Sequence, residues 1–245
     1  MPPDAVTPVP AGSTGAPDAP LSRFDLRSRV LHWVNATLFG VLMLTGAALY
    51  AGPISTLVGS REVVRFVHVY SGLALPIPLL IAVLGRRGTR LRSDFGRLNR
   101  WSRDDARWFR RSQRRTVQLG KFNPGQKLNS AFIAGAGIVM LATGSIMHWF
   151  EPFPLDWRTG ATFAHDWFAL GIWVAVIGHI LFAVRDGDAL EGIVTGSVPA
   201  AWARRKAPRW YAEERGDDTP PRVPKPGPKP GPKTAPFTGR EPSSQ

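Results

Sequence analysis

Four apolar blocks, each close to the length at which a helix crosses a bilayer, interrupt an otherwise polar, arginine-rich chain of 245 residues. A hydrocarbon core about 30 Å thick takes about 20 helical residues, and within it only a helix or a closed barrel satisfies every backbone N–H and C=O. The blocks run from Val30 to Tyr50, Val63 to Gly85, Ser130 to Phe150 and Phe163 to Val184. They read as four transmembrane helices, which makes the fold class an all-α membrane bundle. The hydrophobic content of 44% would suit a soluble protein; its segregation into blocks is what reveals the spans.

The ends of the chain have a different composition. Residues 1–22 are rich in Pro, Ala and Gly and carry no charged segment leading into an apolar run, so they read as a disordered tail and not as a cleavable secretory signal. Residues 212–245 form a second tail, in which Arg222 to Lys233 repeats Pro-Lys and Pro-Gly units as an extended linker does. The folded part is expected over residues 23–211, with a basic loop at 86–129 between the second and third spans. No internal repeat covers it.

The formal net charge is +13, and its distribution accounts for it without nucleic acid. Arg86 to Lys127 holds fourteen Arg and Lys against three acids, and further basic residues flank the first span (Arg23, Arg27, Arg29) and follow the last (Arg185, Arg204, Arg205, Lys206, Arg209). The links between spans one and two and between three and four contain only Arg61 and Arg158. This is the positive-inside pattern of a multi-pass protein of the cell membrane with both termini in the cytoplasm. Within the basic loop, Leu98 to Arg115 interleaves Trp101, Trp108 and Phe109 with arginines, which suits either an interfacial helix on anionic lipid or a solvated loop.

The chain has no cysteine, so disulfides, thiolate-held iron-sulfur clusters and CxxCH haem attachment are excluded. It has five histidines, His32, His68, His148, His165 and His179, and all fall within the four blocks. Ionisable side chains are costly in a bilayer and mark function by default.

Topology converts these positions into depths. His32 begins the outward-running first span and His179 lies near the end of the inward-running fourth, so both are near the inner face. His68 and His165 are near the outer face. His165 and His179 are fourteen residues apart, about 21 Å along one helix and within about 40° of the same side. Two pairs result, His32 with His179 and His68 with His165. Two imidazoles approaching one centre suit a haem iron, whose porphyrin fills the equatorial positions; tetrahedral zinc would want further ligands. Gly46, fourteen residues after His32, and Gly72, one turn after His68, share the face of those ligands, where a glycine either accommodates a flat ring or serves helix packing. Arg29 and Arg65 stand at helix ends, where they snorkel or meet haem propionates. His148 is left unpaired.

Several segments resemble the cytochrome b, or gamma, subunit of membrane-bound formate dehydrogenase, within the wider group of bacterial two-haem cytochromes b that includes the hydrogenase cytochromes. They are RVLHWVNATLFGVLMLTG in the first span, VHVYSG in the second, GKFNPGQKLN before the third, AHDWFALGIWVAVIGHILFA in the fourth and SVPAAWARRKAPRWYAEE after it. The resemblance covers about Arg23 to Tyr211, and the KFNPGQK and PRWY segments point to the formate dehydrogenase branch.

The resemblance implies that His32, His68, His165 and His179 ligate two b haems in the pairs above, and that a menaquinone-type quinone meets Asn123 beside the inner haem. Asn123-Pro124-Gly125 also suits a turn capping the third span. It implies as partners an iron-sulfur subunit at the outer face and a molybdenum or tungsten catalytic subunit, with formate oxidation on that separate chain. His148 and the Pro-rich tails depart from the family pattern. Three alternatives stay open: the cytochrome subunit of a hydrogenase or other dehydrogenase, a stand-alone quinone-linked b-type oxidase, and a membrane anchor whose histidines only pack.

Overall fold

The computed structural model describes residues 18–51, 54, 59–85, 89–110, 112–114 and 116–216. Most of both tails, including Arg222 to Lys233, lies outside the described residues. Four helical spans, Leu26–Tyr50, Arg61–Leu84, Pro124–His148 and Leu155–Val184, are long and apolar enough to cross a membrane. The chain is an all-α, multi-pass membrane bundle.

The first three spans each begin at a side-chain cap, while the fourth follows Pro154, which makes no capping hydrogen bond. Asp25 accepts a hydrogen bond from the Ser28 N–H at 2.8 Å and opens α1 (Leu26–Tyr50). Ser60 caps α2 (Arg61–Ala74) in the same way, through the Val63 N–H. Pro76 has no N–H to continue the ladder, so the second span passes at Leu75 from α2 into α3 (Pro76–Leu84). Leu75 stays helical at φ −54°, ψ −43°, and the span continues across the junction. Its last carbonyls, Val83 and Gly85, accept hydrogen bonds from the Arg92 guanidinium at 2.8 and 3.1 Å.

The described residues of the basic loop include two short helices, α4 (Thr89–Asn99) and α5 (Arg103–Trp108). A single interfacial helix from Leu98 to Arg115 does not form, because Ser102 and Asp105 make a reciprocal capping box that starts a new helix at Arg103. Trp101 and Phe109 remain exposed. A second capping box, Asn123 with Gln126, opens α6 (Pro124–His148) with Pro124 in its first turn. The third helix therefore starts six residues before the apolar block at Ser130. α7 (Leu155–Val184) likewise begins eight residues before Phe163. Hydropathy marks the length that lipid covers, and helices with polar first turns extend past it.

The spans bury little against one another: the apolar window of each is between 0 and 11% buried within the protein. Leu44, Ile138 and Phe182 are 70 to 74% exposed. In water such a surface would be a large association patch; a bilayer covers it. Close helix packing runs between α1 and α2, between α6 and α7, and more lightly between α2 and α6.

The compact apolar core lies at the basic end, outside the spans. β1 (Leu21–Ser22) pairs antiparallel with β2 (Ser197–Val198), with Leu21 opposite Val198. Around this pair lie α8 (Gly187–Thr195), α9 (Ala200–Lys206) and α10 (Pro208–Arg215). Leu21, Val198, Ala200, Trp202, Ala203, Ala207 and Trp210 form one buried cluster. Leu21 and Ser22, and at the other end residues 212–216, tail by composition, thus belong to the folded body, because Leu21 is buried against Val198 and α10, with Ala212 buried, runs on to its Gly216 cap. Gly196 ends α8 at φ +99°, where a Cβ would meet the Phe24 carbonyl at 2.7 Å. Its own carbonyl accepts from the N–H groups of Arg23 and Phe24.

Charged side chains tie the loop to this cap. Arg23 lies 4.4 Å from the Trp202 ring and donates to the Lys121 carbonyl. Burial draws its pKa down to about 10, against the pull of Asp186 and Asp94, so it stays cationic at neutral pH. Lys121 grips both oxygens of Asp94 at 2.7 and 2.6 Å. Lys127 meets Asp105 at 2.8 Å with both side chains 3% exposed, and also donates to the Arg100 carbonyl. Burial raises the Asp105 carboxyl, but hydrogen bonds from Lys127 and Ser102 outweigh it and hold the group below the usual carboxylate range.

Candidate haem sites

Four of the five histidines meet in two pairs. The rings of His32 on α1 and His179 on α7 have centroids 6.1 Å apart at an interplanar angle of 59°. Those of His68 on α2 and His165 on α7 are 6.3 Å apart at 64°. His32 is near the start of α1 and His179 near the end of α7, so the first pair is close to the basic end. His68 and His165 lie toward the opposite end. Both pairs bridge helices other than those in closest contact, since α1 packs on α2 and α6 packs on α7.

Two imidazoles on opposite sides of one metal, with bonds of about 2.0 Å and nitrogens about 1.1 Å from the ring centres, have centroids about 6.2 Å apart. Both pairs match that spacing. No group of three or more metal-ligating side chains occurs among the described residues. A centre that brings its own equatorial ligands and takes two axial imidazoles therefore fits these residues, and haem is such a centre.

The pair farther from the basic end has an additional layer. Thr45 Oγ1 lies 2.9 Å from His68 Nδ1, and Thr143 Oγ1 lies 3.0 Å from His165 Nδ1. Each threonine also back-bonds to its own helix, Thr45 to the Val41 carbonyl at 2.6 Å and Thr143 to the Val139 carbonyl at 2.7 Å. Each is followed by a glycine against the same ring: a Cβ on Gly46 would lie 3.3 Å from His68 Cε1, and one on Gly144 3.4 Å from His165 Cε1. Gly46 thus makes room for the His68 ring, while a Cβ on Gly72 would meet Leu42 at 3.7 Å. Sequence reading missed both threonines. The available signal was the Thr-Gly dipeptide, present once each in the first and third spans, although Thr159-Gly160 in the fourth carries the same pair with no ring against it.

The other candidates have local roles. Asn123 caps α6, its Oδ1 accepting from the Gln126 N–H at 3.0 Å, and stands half-buried at the basic end. The Arg29 guanidinium donates to the Val194 carbonyl in the last turn of α8, while Arg65 is exposed on α2. His148, the last residue of α6, is exposed and packs edge-on against Trp149 at 4.9 Å, outside both pairs.

Residues 23–196 match the family described as prokaryotic cytochrome b561. Among its relatives, the chain is 24% identical over 205 residues to the formate dehydrogenase cytochrome b556 subunit of Haemophilus influenzae, covering 80% of this chain and 84% of that one. It is 23% identical over 198 residues to the nitrate-inducible formate dehydrogenase cytochrome b556(Fdn) subunit of Escherichia coli K12, covering 76% and 87%. To the formate dehydrogenase cytochrome b556(fdo) subunit of the same organism it is 24% identical over 205 residues, covering 79% and 92%. With four apolar spans, paired intramembrane histidines and a family match over most of the folded chain, this protein is a b-type cytochrome and a member of the prokaryotic cytochrome b561 family.

Proposed function

We propose that the chain is the di-haem b electron-transfer subunit of a formate dehydrogenase complex, taking electrons from an iron-sulfur partner at the outer face and delivering them to a menaquinone-type quinone near the cytoplasmic face. The spacing of the two histidine pairs carries this reading, because it suits two bis-imidazole centres at two depths on one helix. The names of the relatives support the formate dehydrogenase assignment. The basic loop and flanks support a cytoplasmic position for both termini.

Two haems, when bound, supply reversible one-electron chemistry between the donor side and the quinone side. His32 and His179 would hold the inner centre, and His68 and His165 the outer; with two imidazoles supplied to each, the four histidines would favour electron transfer over oxygen binding. Asn123, at the basic end and close in sequence to the clasped Lys127, is the residue proposed to hold the quinone. Formate oxidation belongs to a molybdenum or tungsten subunit.

The test is to purify the tagged chain with its native partners from membranes and add formate. Reduction of the bound haem, with onward electron delivery blocked by a quinone analogue and weakened by Asn123→Ala, is the expected result. Reduction by hydrogen and not by formate would reassign the chain to a hydrogenase, and an Asn123→Ala variant that delivers electrons as wild type does and is equally blocked by the analogue would move the quinone elsewhere.

A further inference from the structure

We infer that Thr45 and Thr143 are positioning residues that set the ligand strength of the outer histidine pair and so make the outer centre the lower-potential one. The inference rests on the di-haem reading above. A threonine hydroxyl has one proton. In both residues the oxygen lies within 2.7 Å of a carbonyl of its own helix, Val41 or Val139, which can only accept. The proton is committed there, so the oxygen meets the imidazole as an acceptor and Nδ1 must carry the hydrogen. His68 and His165 are thereby held as the tautomer whose Nε2 lone pair is free for a metal. The following glycine lets each ring sit against the helix that holds it.

The arrangement occurs twice, on different helices and for different histidines, across intervals of 23 and 22 residues. A threonine that merely back-bonds its own helix has no need of a histidine at 3 Å or a glycine beside the ring. The inner pair differs, since no side-chain hydrogen bond joins His32 or His179 to another described residue. Donation from Nδ1 raises the basicity of a ligating imidazole. A more basic axial ligand favours the oxidised iron, and outer-shell hydrogen bonding is one of the protein's levers on potential. The outer centre, where electrons enter in the proposed function, is then poised below the inner, and transfer toward the quinone side runs downhill.

The test is a redox titration of the purified, haem-loaded protein with haem stoichiometry measured alongside, for wild type, Thr45→Val, Thr143→Val, the double variant and the two serine variants. Each valine variant should keep two haems and move only the lower-potential component upward, the double variant moving it further than either single one. Serine should return the wild-type value. Alanine variants supply the same reading should a valine variant fail to load. Two haems with both potentials unmoved, an equal shift of both, or serine behaving as valine would overturn the inference. A wild type that carries no haem would instead remove the di-haem reading on which it rests.

Discussion

At the scale of single residues, the proposed ligation of haem by the two histidine pairs makes each ring necessary to its own centre. Replacing His68 or His165 by alanine leaves one axial ligand and is expected to lower haem content by one per chain. Haem extraction and quantitation against protein checks this, and two haems retained in His68→Ala would reassign the ligand. Gly46→Ala and Gly144→Ala probe the rings from behind. A glycine in an open helix position usually gains about 0.5–1 kcal/mol on changing to alanine, but here the new methyl meets a ring carbon at 3.3 or 3.4 Å. Both variants should fold and bind haem with altered low-spin spectra; unchanged spectra in both would show that the rings are not held there.

At the scale of elements, the loop between the second and third spans is fastened by the Lys127–Asp105 pair. Asp105→Ala leaves a buried ammonium unpaired and is expected to cost about 3–5 kcal/mol, whereas replacing both partners by apolar residues of similar size costs much less. Thermal unfolding in detergent distinguishes the two. The carboxyl titrates below the usual aspartate range, so its contribution is present above that range and is lost as pH falls through its folded value. Pepsin should therefore cut the loop increasingly as pH is lowered through acid values, and Asp105→Asn should already be susceptible at the upper end of the titration. Equal onset in both proteins would dissociate the clasp from Asp105.

The spans and the depth order of the histidines were legible in the sequence because both depend on one-dimensional quantities, apolar length and position within a helix. The Lys127–Asp105 clasp, the Thr45–His68 and Thr143–His165 bonds, and the pairing of Leu21 with Val198 were not. They join residues 22 to 177 positions apart, and no local period marks them. The capping boxes at Ser102 and Asn123 are local, and the second was readable as a turn before α6.

At the scale of the whole molecule, lipid covers what the protein leaves exposed, and the cap at the basic end holds the N-terminal strand, the loop and the C-terminal helices together. Trp210 is fully buried in that cap, so Trp210→Ala should remove about 3–5 kcal/mol and loosen the loop as well as the terminus, seen as protease cleavage in both. A topology reporter fused after Gly216 should register as cytoplasmic; an external reading would invert the proposed direction of electron flow. Whether the two histidine pairs hold two haems is tested most directly by measuring haem per chain in detergent-purified wild type and His179→Ala, with reduced-minus-oxidised spectra. Two b haems in the wild type and one or none in the variant are predicted, and a well-folded wild type without haem would contradict the account.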